Sequence, residues 1–239
     1  PDLILVTIDA LRADRVVAPE FAPLTPRIRG LAASGLLFRR AWSTAPWTIP
    51  GMSSIFTGVS PSSHGAQFCL APEEAARLSL SWISTGRSGF PNPLFSKMSP
   101  EVETLPMALS RAGYVSAGLS SWFAVARETG FARGFDRFHL GSSEDDSIVV
   151  HQAREWLQSE RKRSVRPAFL FVHLFTPHQP YTPPGGEAAF DTFVESWDGI
   201  PLAQRVMRHR EPLPPDAQDR IRRAYDGEVR YADRSFGEV

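Results

Sequence analysis

With Cys69 as its only cysteine, this 239-residue chain can form no internal disulfide, so whatever holds it together is non-covalent. Net charge is absent as well. Lys and Arg number 26 and Asp and Glu also 26, which removes any whole-molecule attraction to nucleic acid or to an anionic membrane surface. The longest apolar runs, Leu3–Ile8 and Ala168–Val172, fall far short of the roughly 20 residues that cross a bilayer. No signal-peptide pattern, internal repeat or low-complexity tract is visible, and the strand-like run begins almost at Pro1. What remains is ordinary globular composition, 42% hydrophobic and 22% charged, which predicts a packed core. The length suits one good-sized α/β domain, read as spanning residues 1–239.

Local patterns then give an order of elements. Leu3–Ile8 is rich in β-branched and apolar residues, as in a strand buried on both faces of a parallel sheet, with Asp9 directly after it. Thr25-Pro26 predicts a capped helix carrying Ile28, Leu31 and Ala32 and ending near Gly35. Leu36–Trp42 reads as a second strand, and 50–56 as a short helix opened by Pro50 and closed by Gly58. Residues 68–103, rich in Pro, Ser and Gly, read as a long surface excursion. A helix from Thr104 to Gly113 leads to a strand over 114–119. Ser147 is a candidate cap for a helix carrying Trp156 and Leu157, followed by the basic turn Arg161-Lys162-Arg163 and the strand Ala168–Leu174. After a second irregular stretch, Pro215-Asp216 opens a helix with Ile221, Tyr225, Val229, Ala232 and Phe236 on one face. Strands alternating with helices imply an α/β fold, a mainly parallel sheet flanked by helices on both faces, with ligands bound outside the strand C-termini.

Three residues stand where chemistry is expected. Asp9 follows a strand directly, so its carboxylate either binds a divalent cation at the sheet edge or caps the next turn. Thr48 precedes the short helix and is either a helix-capping residue or a nucleophile at a helix N-terminus, where backbone N–H groups favour an ester anion. The dipole is worth only about 0.3–1 kcal/mol, so activation of a threonine alcohol would need a metal. His178, between Pro177 and Gln179-Pro180, lies just past a strand and can bond an ester oxygen or protonate a leaving group. His173, within that strand, reads first as a packing residue, Asp14 as a loop anchor through ion pairs, and His64 as a residue that orders its turn. Trp42, Trp47 and Trp156 read as core.

Four segments together resemble the sulfatase family of the alkaline-phosphatase superfamily. They are Val6-Thr7-Ile8-Asp9-Ala10-Leu11-Arg12-Ala13-Asp14, the stretch from Ala45 to Gly58, Phe171-Val172-His173-Leu174-Phe175-Thr176-Pro177-His178-Gln179-Pro180-Tyr181, and Tyr225-Asp226-Gly227-Glu228. The resemblance implies a hydrolase of sulfate or phosphate esters, with Asp9 and Thr48 at a divalent cation, Thr48 at the nucleophile position, and His178 with His173 contacting the substrate. The cation is Ca2+ if the protein is sulfatase-like and Zn2+ or Mn2+ if it is phosphotransferase-like. Phosphoryl or phosphoglycerol transfer and non-catalytic anion binding are the rival activities. Partners would be small-molecule, glycan or lipid esters, and the family setting implies the periplasm or cell exterior. Three departures accompany the resemblance: Thr48, Gly51 and Met52 replace the Cys or Ser, the Ser and the Arg of a Cys-x-Pro-Ser-Arg pattern, so no formylglycine can form; Ala10 replaces a second Asp; and no Asp-His pair occurs. The resemblance therefore implies the N-terminal part of such a domain, with further metal ligands beyond Val239 and no activity by this chain alone.

Overall fold

The structure is a computed structural model and describes residues 1–67, 97–141, 145–178, 181 and 215–239. Residues 68–96 of the first irregular stretch, Cys69 among them, lie outside the described residues, as do the second stretch and Gln179-Pro180. The chain divides into two compact units, one of Pro1–Thr7 and Arg40–Leu174 and the other of Ile8–Arg39 and Phe175–Val239.

The first unit is built on a four-stranded parallel sheet: β1 (Leu3–Ile8), β2 (Val115–Ser120), β3 (Arg137–Leu140) and β4 (Ala168–Leu174), in the order β1-β4-β2-β3. β4 is buried at all seven positions, as the apolar run Ala168–Val172 predicts for a strand covered on both faces. Its helices are α3 (Thr48–Thr57), α4 (Pro61–His64), α5 (Leu105–Arg111) and α6 (Asp146–Arg163). Parallel pairing sets Gly118 opposite Phe171 and Leu119 opposite Val172, so one sheet face carries Phe169, Phe171 and His173 and the other Leu170 and Val172. On the first face Phe56 of α3 meets Phe171 edge-on at 4.8 Å and Phe131 at 5.3 Å, while Phe135 stacks on Phe169 at 5.5 Å. Gly118 belongs to this face by necessity, because a Cβ there would lie 2.7 Å from the Phe138 ring.

The second unit contains α1 (Ala13–Val17), a 3₁₀ turn (Pro19–Leu24), α2 (Pro26–Ser34) and α7 (Pro215–Glu238). Ile221, Tyr225, Val229, Ala232 and Phe236 recur at helical spacing, and Tyr225, Val229 and Ala232 of that stripe are buried. Tyr225 and Val229 pack with Leu24, flanked by Leu11, Phe21 and Tyr181.

Several expectations require correction. Leu36–Trp42 forms no strand, and Leu36 and Trp42 are 87% and 90% exposed. A short apolar run becomes a strand only when a sheet edge pairs with it, and nothing in local sequence supplies that edge. Trp42 is accordingly not core, and Trp47 is half-buried, whereas Trp156 is buried as expected. Among the described residues β1 lies at the edge of the sheet, and no position of it is buried: Leu3 and Ile4 are exposed and the other four half-buried. The cap of α6 is Asp145, whose carboxylate accepts from the Ser147 N–H at 2.9 Å, and Arg161–Arg163 continue that helix instead of forming a turn. Thr25 occupies the N-cap position of α2 but donates its hydroxyl to the Arg15 carbonyl at 3.0 Å. The α2 amides bond instead to Asp233 of α7, from Arg27 at 3.2 Å and Ile28 at 2.9 Å.

Candidate functional site

Asp9 follows β1 and is half-buried, as its position after an apolar strand requires. The next residue, Ala10, has φ of +55°, a left-handed conformation that costs a side-chain-bearing residue roughly 1–2 kcal/mol and persists only where neighbours hold it. Two features of α7 do so. The Tyr225 hydroxyl donates to the Ala10 carbonyl at 2.9 Å and accepts from the Arg12 N–H at 2.8 Å, and Asp226 accepts from Arg15 Nε at 2.7 Å. Arg15 is buried, lies 4.0 Å over the Phe21 ring and also bonds Asp14, which in turn accepts two bonds from Arg12. The hydrogen bond from Arg12 holds the Asp14 carboxyl below the usual carboxylate range, with Arg15 adding to it. Asp14 therefore anchors the loop, as its sequence context predicts. Burial pushes the Tyr225 phenol up to about 12, which keeps the proton that its bond to Ala10 uses.

Thr48 is the first residue of α3, with Trp47 extended before it. The helix begins two residues earlier than expected, so Pro50 falls third in the helix, still within the first turn, where a missing N–H breaks no helical bond. Gly51 N–H bonds the Trp47 carbonyl at 3.3 Å, so it is spent within the helix and not on an anion. A Cβ at Gly51 would come 3.1 Å from Ser43 Oγ, so a side chain here would require Ser43 to shift by a few tenths of an ångström. Met52, where the Cys-x-Pro-Ser-Arg pattern has Arg, is buried in the core, and no guanidinium is supplied from that position. The Gly58 turn closes α3 with φ of +71°. Beyond it, Ala66 N–H donates to His64 Nδ1, leaving Nε2 to donate to Ser54 Oγ at 3.1 Å. That fixes the tautomer and makes His64 a brace for the turn, as expected, while burial holds its imidazolium below the ordinary value.

His173 lies in β4 and is only 1% exposed, with Nδ1 hydrogen-bonded to Thr7 Oγ1 of β1 at 2.8 Å. Its carbonyl accepts from both the Ser121 N–H and hydroxyl at 3.1 Å. His178 is half-buried past a cis Thr176–Pro177 bond, its ring 4.6 Å from Phe175 and its N–H bonded to the Phe175 carbonyl at 2.9 Å. Thr48 and His173 thus belong to the first unit, Asp9 and His178 to the second. Among the described residues no group of three or more His, Cys, Asp or Glu side chains could hold a metal ion, so Asp9 and Thr48 do not by themselves amount to a cation site. The loop brace of Tyr225 and Asp226 went unassigned in the sequence, although their adjacency within Tyr225-Asp226-Gly227-Glu228 marked the segment.

The parallel α/β sheet is the architecture of sulfatase and alkaline-phosphatase-like proteins. The chain belongs to the sulfatase family, whose sequence profile matches residues 1–239. Among solved structures it is similar to the lipoteichoic acid synthase LtaP from Listeria monocytogenes, at 18% identity and a TM-score of 0.62 over 99% of this chain and 50% of that one. It is similar also to a putative sulfatase from Bacteroides thetaiotaomicron, at 16% identity and a TM-score of 0.62 over 100% and 53%. A third is the phosphonate monoester hydrolase of Agrobacterium radiobacter, at 16% identity and a TM-score of 0.61 over 99% and 58%. The chain therefore spans about half the length of these structures. No curated protein matches it. Among the described residues no helix is long and apolar enough to cross a membrane.

Proposed function

We propose that the protein is a hydrolase of sulfate or phosphate esters in which Thr48 is the nucleophile, Asp9 is one ligand of a divalent cation and His178 contacts the transferred group. The observation that supports this reading is that Thr48 is the first residue of α3, at the position to which the resemblance assigns the nucleophile. The Thr48 oxygen forms a bond to sulfur or phosphorus while the ester oxygen leaves as the alcohol, taking the proton that Thr48 gives up. Water then attacks the covalent intermediate, releasing sulfate or phosphate and restoring the threonine. The burial of His173 in β4 and its bond to Thr7 support its reading as a packing residue over that of a substrate contact.

A second reading, transfer of a phosphoryl or phosphoglycerol group to an acceptor alcohol, is favoured by threonine at this position and by the likeness to a lipoteichoic acid synthase. Hydrolysis of aryl sulfate and aryl phosphate esters by the protein expressed from its whole reading frame tests both. Thr48→Ala is expected to lower turnover by about a thousandfold or more and to abolish a sulfuryl- or phosphoryl-modified peptide containing Thr48. Product that appears on added glycerol instead of water selects the transferase, and full activity in Thr48→Ala removes both.

A further inference from the structure

The Asp9 loop is braced at one atom. Ala10 carries a side chain yet takes the left-handed conformation, and the Tyr225 hydroxyl bonds the two peptides that follow it, to the Ala10 carbonyl and from the Arg12 N–H. Local sequence does not supply the conformation, because an alanine released from its partners returns to negative φ. The path of the chain after Asp9 turns at Ala10, and the two peptides beyond that turn are held by Tyr225. The hydroxyl is itself placed by packing: the Tyr225 ring lies edge-on to Tyr181 at 5.4 Å, and the Arg15 guanidinium, anchored by Asp226, lies 5.7 Å over it.

We propose that Tyr225 is a positioning residue for Asp9, acting through the left-handed turn at Ala10; this rests on the reading of Asp9 as an active-site residue. Asp226 and Arg15 serve the same end by fixing the Tyr225 ring over the loop. The family segment Tyr225-Asp226-Gly227-Glu228 thereby acquires a function without touching substrate.

Tyr225→Phe retains the ring and its packing and removes only the hydroxyl. In the protein from its whole reading frame, amide hydrogen exchange over residues 9–12 is expected to accelerate about five- to tenfold, the consequence of losing one or two ordinary hydrogen bonds. Ester turnover should fall by a comparable factor in kcat with KM little changed. Adding Ala10→Gly should restore part of the kcat loss, since glycine adopts positive φ without the strain that alanine carries there. A brace that merely stabilised the fold would not be rescued at residue 10. Unchanged exchange in Tyr225→Phe overturns the proposal, as does faster exchange with undiminished kcat. Asp9→Asn is the companion measurement. If it leaves turnover intact, the active-site reading fails and takes the proposal with it; if it abolishes turnover while Tyr225→Phe does nothing, the proposal alone fails.

Discussion

Asp233→Ala should destabilise the protein by about 2–3 kcal/mol, because this carboxylate replaces the cap that α2 does not make for itself. A side-chain cap is worth about 0.5–2 kcal/mol, and here both carboxylate oxygens are engaged, by Ile28 N–H at 2.9 Å and Arg27 N–H at 3.2 Å. Asp233 is buried, which places it toward the upper end, and a negative charge at a helix N-terminus adds about 0.3–1 kcal/mol. Asp233→Asn keeps one acceptor and should cost about 1 kcal/mol. Urea unfolding of the three proteins gives the differences, and amide exchange at Arg27 and Ile28 localises them. Thr25→Ala separates this account from a conventional cap, since its hydroxyl serves the Arg15 carbonyl and its loss should leave the Ile28 amide protected. A cost below about 0.5 kcal/mol for Asp233→Ala, or exposure of Ile28 in Thr25→Ala, would refute the reasoning.

Phe56→Ala removes a ring packed edge-on against both Phe131 and Phe171 in the first unit, and a loss of about 3–5 kcal/mol is expected in the same unfolding assay. His64 gives a pH signature. Burial favours its neutral form, so its folded pKa lies below the unfolded value; the contribution is complete above roughly pH 6.5 and is lost as pH falls through the folded pKa. The stability gap between wild type and His64→Gln should therefore narrow from pH 7.5 to pH 5, and a gap that widens would contradict it.

Elements whose signals are local were readable. β4 was found at its observed bounds because seven consecutive residues without Asp, Glu, Lys or Arg, six of them apolar, announce a strand covered on both faces. Gly35 and Gly58 marked the ends of α2 and α3, as residues free to leave the helical conformation do. β3 was missed, since Arg137-Phe138-His139-Leu140 is too short for a periodic signal and owes its existence to pairing with β2, aligned where Asp136 accepts from Ser116 N–H at 2.7 Å. The same limit applies to the site. Asp9, Thr48 and His178 could each be placed at the end of an element, but Tyr225 holding Ala10 spans 215 residues, and no local pattern encodes a partner that far away. Met52 behaves similarly: the sequence shows an arginine replaced, and only packing shows that its side chain has joined the core.

The tie between Thr7 in β1 and His173 in β4 joins residues 166 positions apart. On a ribosome adding about 5–20 residues per second, β1 exists for roughly ten to thirty seconds before its partner is made. Throughout that interval Leu3–Ile8 is an uncharged strand with both edges unpaired, the kind of segment that invites wrong pairing or a holding chaperone. Asp2, just before it, places a charge at the end of the strand, of the kind that discourages wrong pairing at an open edge, and in the folded protein its carboxylate accepts the Ala168 N–H at 2.9 Å.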